Sequence, residues 1–136
     1  MKGTEIKDLR ARAIIDCKGK PLLEVDVITE DGVMGRGASP SGISAGEHEA
    51  MVLRDGDKNW YDGNGVYKAV EMAEKVILPA IKGLDVLDQK AVDQAMIDLD
   101  GTNNKSKLGG NTTYSTSMAV MRAACSILHV PQYKYL

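Results

Sequence analysis

Asp8-Leu9-Arg10-Ala11-Arg12-Ala13-Ile14-Ile15, followed after a turn by Leu22-Leu23-Glu24-Val25-Asp26-Val27, decides the fold class. Leu9, Ala11, Ala13 and Ile15 alternate with Asp8, Arg10 and Arg12, the period of a strand that turns one face to a core. Leu23, Val25 and Val27 alternate with Glu24 and Asp26 in the same way. Between the two runs, Asp16-Cys17-Lys18-Gly19-Lys20-Pro21 is a turn punctuated by Gly and Pro. Asp31-Gly32 is a two-residue hairpin signal, and Val33 to Ala38 reads as a third strand. The expected sheet is an antiparallel meander with strands near residues 4–15, 22–29 and 33–38. Arg10, Arg12 and Arg36 then share a solvated outer face with Glu24 and Asp26, as cross-strand pairs of opposite charge.

Downstream of the sheet the period changes to that of helices. Val66, Ala69, Val70, Ala73, Val76 and Ile77 form one stripe, which Pro79 ends or kinks. Asp88 is an N-cap for a second helix with Val92, Ala95, Met96 and Leu99 inward, and Gly101 suits its C-terminal cap. A long helix is expected from near Asn111 to Pro131, with Met118, Met121, Cys125 and Leu128 in the core and small residues such as Ser115, Ala119 and Ala123 allowing close approach. The fold class is therefore α+β: a three-stranded antiparallel β-meander followed by a helical half, in one domain over residues 1–136.

The composition narrows the function. With 136 residues and 43% hydrophobic residues, the chain is long enough for a core that buries roughly two-thirds of the unfolded surface. A formal net charge of -2 argues against nucleic acid or an anionic membrane as the main partner. No apolar run approaches the roughly 20 residues that span a bilayer, and the N-terminal residues lack the apolar stretch of a secretion signal. The two cysteines, Cys17 and Cys125, have neither metal-site spacing nor the density of a disulfide scaffold, which suits a cytoplasmic protein with reduced thiols.

Between sheet and helices lies Gly37-Ala38-Ser39-Pro40-Ser41-Gly42-Ile43-Ser44-Ala45-Gly46-Glu47-His48-Glu49-Ala50, small, polar and glycine-rich at its start. Such loops on a rigid scaffold carry function, and the hydroxyls of Ser39, Ser41 and Ser44 are candidates for serving a metal or an oxyanion, against the alternative of a plain solvated loop. Gly42-Ile43-Ser44-Ala45-Gly46 matches G-x-S-x-G, but that motif needs a parallel sheet behind it and an acid and a histidine after it. Only His129 follows at a usable distance. Asp98-Leu99-Asp100-Gly101-Thr102-Asn103 starts like a calcium loop, yet its glycine comes early and the bidentate Glu is missing, so helix capping is the better reading.

Several blocks, taken in order, resemble one family. They are Ile14-Ile15-Asp16 with Gly19 and Pro21; Pro40-Ser41-Gly42 with Ser44 and Gly46; Glu49-Ala50 with Leu53-Arg54-Asp55-Gly56-Asp57-Lys58; and Gly65-Val66 with Lys68-Ala69-Val70. Ile97-Asp98-Leu99-Asp100-Gly101-Thr102 with Asn104-Lys105-Ser106, Gly109 with Asn111, and Pro131 with Tyr133 complete the run. The chain resembles the N-terminal domain of enolase (phosphopyruvate hydratase), a glycolytic lyase that interconverts 2-phosphoglycerate and phosphoenolpyruvate.

The resemblance implies a division of labour. The base, the acid and the carboxylates for the first Mg²⁺ belong to a C-terminal barrel domain that these residues do not include. Ser41, Gly42, Ile43, Ser44, Ala45 and Gly46 correspond to a mobile lid over the substrate, and Ser44 to a ligand of a second Mg²⁺ through its oxygens. His48, Glu49, Arg54 and Asp55 are expected to anchor that lid. The implied partners are the barrel domain and, in the complete protein, a second subunit. Alone, the chain is expected to have no catalytic residue, no tight Mg²⁺ site and no enolase activity, although Glu47, Glu49, Asp55 and Asp57 lie near Ser44 in sequence. Some positions depart from the family pattern. Cys17, Lys18 and Lys20 stand where the family turn reads Ser-Arg-Gly-Asn, with Lys18 at an arginine of the subunit contact. Ile43 and Ala45 alter the lid, and Gly110 and Thr112 replace alanines. The alternative is a stand-alone, non-catalytic enolase-like binding module.

Overall fold

The computed structural model describes residues 2–42 and 44–136. Three antiparallel strands come first: β1 (Ile6–Ile15), β2 (Pro21–Thr29) and β3 (Met34–Ala38), in the order β1-β2-β3. The turn after β1 closes as its residues dictate. Asp16 N–H donates to the Lys20 carbonyl at 2.9 Å, and Gly19 supplies the positive φ, +74°, that a side chain would disfavour. The second turn is longer than Asp31-Gly32 alone implied. Thr29 N–H donates to the Val33 carbonyl at 2.9 Å, and Val33 N–H donates to the Thr29 hydroxyl at 3.0 Å. Glu30 and Asp31 donate instead to the carbonyls of Glu5 and Gly3, so contact with the N-terminal residues widens the turn.

The inner face is apolar where helices cover it. Leu9, Leu23, Val25 and Val27 are buried, but Ala13 and Ile15 at the end of β1 are exposed, Ile15 by 52%. The helical layer therefore stops short of the turn. On the outer face the expected charge pairing forms, with one correction. Arg12 faces Glu24 and Asp26 faces Arg36 across the strands, whereas Arg10 turns to Asp8 at 3.3 Å. Asp26 is not solvated; it is 4% exposed beneath two guanidinium groups.

The helical layer begins with α1 (Tyr67–Met72), passes through a π-helical turn (Ala73–Ile77) and continues as α2 (Leu78–Ile81). Pro79 does not end this helix. Lacking an N–H, it sits just after the wide turn, where Leu78 N–H reaches back to the Ala73 carbonyl. Residues 84–86 then lie along the start of β1: Ile6 N–H donates to the Leu84 carbonyl at 2.8 Å and Val86 N–H to the Thr4 carbonyl at 3.1 Å. Helix α3 (Gln89–Asp100) has the expected caps. The Asp88 carboxylate accepts from Ala91 N–H at 3.0 Å, and Gly101 takes the left-handed conformation at φ +65°. The longest helix, α4 (Gly110–Leu128), crosses β2 and β3, and α5 (Gln132–Tyr135) follows it. Met121 and Cys125 are buried in α4, but Leu128 is exposed at its last turn, beyond the sheet.

Gly35 and Gly37 set how closely α4 lies on the sheet. A Cβ at Gly35 would stand 1.9 Å from the Ala119 carbonyl oxygen, and one at Gly37 would stand 2.1 Å from that of Ser115. Helix backbone rests directly on strand backbone, with Ala119 and Ala123 as spacers. Around this contact Val66, Ala69, Ala73, Ile77, Ile81, Val86, Val92, Met96, Leu108 and Val120 complete the core. The fold class read from the sequence is the one found.

Candidate functional site

The serine-rich stretch leaves the sheet at β3. Ser39 continues the strand pairing, its N–H donating to the Leu23 carbonyl at 3.1 Å, and is buried. Ser41 is held from two sides. Its hydroxyl donates to Asp16 Oδ2 at 2.5 Å, and its carbonyl accepts from Arg54 Nη2 at 3.2 Å. Asp16 is fixed in turn by the amides of Lys18 and Lys20, both at 2.8 Å. These donors, the Ser41 hydroxyl first, hold the Asp16 carboxyl below its usual range. Arg54 also donates from Nη1 to the carbonyls of Pro21 at 2.5 Å and Asn64 at 2.8 Å. Its partial burial lowers its pKa, against the attraction of Asp16 and Asp55.

Past Ser41 the constraints thin out. Gly42 adopts φ +70°, and Gly42, Ser44, Ala45 and Gly46 are exposed. Ile43 lies outside the described residues. Glu49 closes a small local loop, accepting from Gly46 N–H at 2.9 Å and returning its own N–H to the Gly46 carbonyl at 3.2 Å. Ser41, Gly42, Ser44, Ala45, Glu49 and Val52 surround a shallow hollow of about 190 Å³. The chain is secured again at Met51. There Met51 N–H donates to the Asn104 carbonyl at 2.8 Å and Gly110 N–H donates to the Met51 carbonyl at 2.6 Å. Asn111 then brackets Leu53: Oδ1 accepts its N–H at 2.9 Å and Nδ2 donates to its carbonyl at 3.0 Å.

Of the residues expected to anchor this segment, Arg54 reaches Ser41 and Glu49 reaches Gly46. His48 is exposed. Asp55 is committed elsewhere: its carboxylate accepts from Tyr67 N–H at 3.0 Å and Lys68 N–H at 2.7 Å, satisfying the start of α1. The Asp16–Ser41 bond and the Asn111–Leu53 bracket were not found by sequence reasoning. The only signals for them were Asp16 heading a tight turn and a buried-side Asn at a helix start.

The competing chemistries separate in space. Gly110, at the start of α4, packs on Ala50 beside the Ser44 segment, and His129 follows the helix's other end. With α4 running from Gly110 to Leu128, that is a separation of roughly 28 Å along the axis, so Ser44 and His129 do not form a nucleophile–base pair. A hollow of about 720 Å³, lined by Arg122, Cys125, His129 and Tyr133 among others, belongs to this far end as well. Asp100 organises the loop after α3 rather than a cation site. Its carboxylate accepts from Leu108 N–H at 2.7 Å, from Thr102 N–H at 2.9 Å and from the Thr102 hydroxyl.

Among the described residues no three His, Cys, Asp or Glu side chains converge where they could hold a metal ion. The exposed Ser44 carries oxygens of the kind a hard cation takes, and among the described residues no group of three His, Cys, Asp or Glu side chains stands with it to hold such an ion. Among the described residues no helix is long and apolar enough to cross a membrane. The three-stranded antiparallel sheet followed by helices agrees with one family, whose model, enolase N-terminal domain, matches residues 6–136; the chain belongs to that family.

Proposed function

We propose that this domain is the lid-bearing and subunit-contact part of an enolase, which with a C-terminal barrel domain interconverts 2-phosphoglycerate and phosphoenolpyruvate in the cytoplasm. The observation that carries the reading is a serine segment rooted at Ser41 and free of the core at Ser44. Removing a weakly acidic carbon proton needs a base, an acid for the leaving hydroxide and fixed positive charge, all positioned beforehand. In enolase-type sites Mg²⁺ supplies that charge against the developing enediolate. Ser44 would contribute its oxygens to holding one such ion, and Gly42, Ala45 and Gly46 would give the segment room to bring them there. With Ser41 and Ile43 they make up the lid, which would also keep water from the reacting atoms. The partner surface has support of its own: Trp60, Tyr61 and Tyr67 are large aromatic groups left exposed, with the Trp60 ring against both tyrosines.

The test is absorbance of the enol product with 2-phosphoglycerate and Mg²⁺. The purified chain alone is expected to give none. Adding an enolase barrel domain should give turnover, and Ser44→Ala should lower it at least tenfold. Turnover without a barrel overturns the assignment of roles. A chain that binds no barrel domain and restores no turnover favours the stand-alone module.

A further inference from the structure

Arg54 closes the neck of the loop that carries Ser44. The guanidinium follows Leu53, which Asn111 pins to α4, and it reaches back to the Ser41 carbonyl at 3.2 Å. The same group grips the Pro21 carbonyl at the start of β2 and the Asn64 carbonyl before α1. From the other side the Ser41 hydroxyl is bound to Asp16, in the turn between β1 and β2. Two segments thus hold Ser41 directly, through Asp16 and through Arg54, and Arg54 ties it on to Pro21 and Asn64. Between Ser41 and Met51 the described residues from Ser44 to Glu49 are exposed, and the hydrogen bonds found among them join Gly46 and Glu49 to each other.

We propose that Arg54 and Asp16 are positioning residues for Ser44: by fixing Ser41 to the sheet they set the point from which the Ser44 oxygens are delivered. Three residues of extended chain span at most about 11 Å, so the Ser44 backbone stays within that radius of Ser41 however the segment moves. The anchor must be rigid for that radius to select one target. A planar guanidinium suits this: its two terminal nitrogens serve three carbonyls at once, and the compact ammonium of lysine cannot match their spread. This inference rests on the reading that Ser44 serves a cation in the assembled enzyme.

Backbone nitrogen-15 relaxation of the chain tests the anchor independently of that reading. Arg54→Lys should lower the order parameters of the Gly42 and Ser44 amides and leave those of Val25 and Val27 in β2 unchanged. Ser41→Ala, which removes one bond and leaves the neck, should lower that of Gly42 by less, and Ser41→Thr should restore it. Equal order parameters in Ser41→Ala, Ser41→Thr and the unsubstituted chain overturn the anchor, as does an Arg54→Lys loss of order that is equal in β2. In the assembly with a barrel domain, Ser41→Ala should raise the Mg²⁺ concentration for half-maximal rate at least threefold at an unchanged thermal midpoint, with Ser41→Thr again restoring it. An unchanged Mg²⁺ requirement beside a loosened Gly42 overturns the positioning of Ser44. No turnover with the unsubstituted chain refutes the functional reading instead, and with it what Arg54 is said to position.

Discussion

Gly35→Ala puts the contact between α4 and the sheet to a test of sign. In a strand, exchanging glycine for alanine at an ordinary φ should stabilise by roughly 0.5–1 kcal/mol, because the unfolded chain loses freedom. Here the added Cβ would meet the Ala119 carbonyl oxygen at 1.9 Å, the Ala123 nitrogen at 2.4 Å and the Ala123 Cβ at 2.9 Å. A carbon and a carbonyl oxygen approach no closer than about 3.3 Å, so helix and strand must separate by roughly 1.4 Å. The two nearest obstacles are backbone and the third is an alanine Cβ, so no rotamer change relieves them. A gap of about 0.5–1 Å already forfeits a quarter to a half of each dispersion contact, and α4 lies on β2 as well as β3. Overpacking of this kind costs about 1–3 kcal/mol, and the rigid acceptor places this site at the upper end. After the conformational gain is subtracted, a net loss of about 2 kcal/mol remains. For a domain of this size that is a fall of roughly 7 °C in thermal midpoint.

Urea unfolding followed by far-ultraviolet circular dichroism reads the change as a lower midpoint at unchanged slope. Gly46→Ala is the control, since nothing stands within 4 Å of the position its Cβ would take. It should leave the midpoint within experimental scatter. If Gly35→Ala proves as stable as Gly46→Ala, the close backbone packing of α4 on β3 is wrong.

Asp26 should make the fold sensitive to acid. Hydrogen bonds from Arg36 first and then Arg12, against the cost of burial, lower its carboxyl to about 2. The unfolded value is near 3.9, so the unfolded chain binds more protons between these limits, and up to about 2 kcal/mol present above pH 4 is lost as pH falls towards 2. Asp26→Asn should flatten that limb of the stability curve, and an unchanged limb counts against the pairing. Asn111→Ala leaves both polar groups of the Leu53 backbone without their side-chain partner; a loss of about 1–3 kcal/mol in urea unfolding is expected, with Asn111→Asp keeping only the accepted bond. A loss under about 0.5 kcal/mol would show that water replaces the amide.

What the sequence made legible was local. Alternation placed Leu23, Val25 and Val27 on one face because a strand has period two, whatever packs on it. Asp88 and Gly101 were readable because each satisfies backbone groups within its own helix. Asp26 was misread for the complementary reason. Its period puts it on the outer face, but Arg12 and Arg36, folded over it, bury it. Pro79 was expected to stop or bend a helix, and a π turn accommodated it instead, a compensation no single residue announces. Ile15 and Leu128 kept their apolar period beyond the point where the facing layer ends, so their exposure depends on the lengths of other elements.

The candidate site was legible as a position and not as a structure. Composition and family resemblance marked the segment, but its root lies in bonds between residues far apart in sequence, from Ser41 to Asp16 and from Arg54 to Pro21 and Asn64. Those bonds sit at the rim of the sheet, while the core lies between the sheet and α1 to α4. The separation has a thermodynamic consequence. Hydrophobic stabilisation comes from the layer interface, so a residue such as Ser41 can be altered with little loss of fold. The core, conversely, constrains only where the segment starts. Such a division lets a stable scaffold carry a segment of low local stability, which is what a loop needs if it must move to meet a second domain.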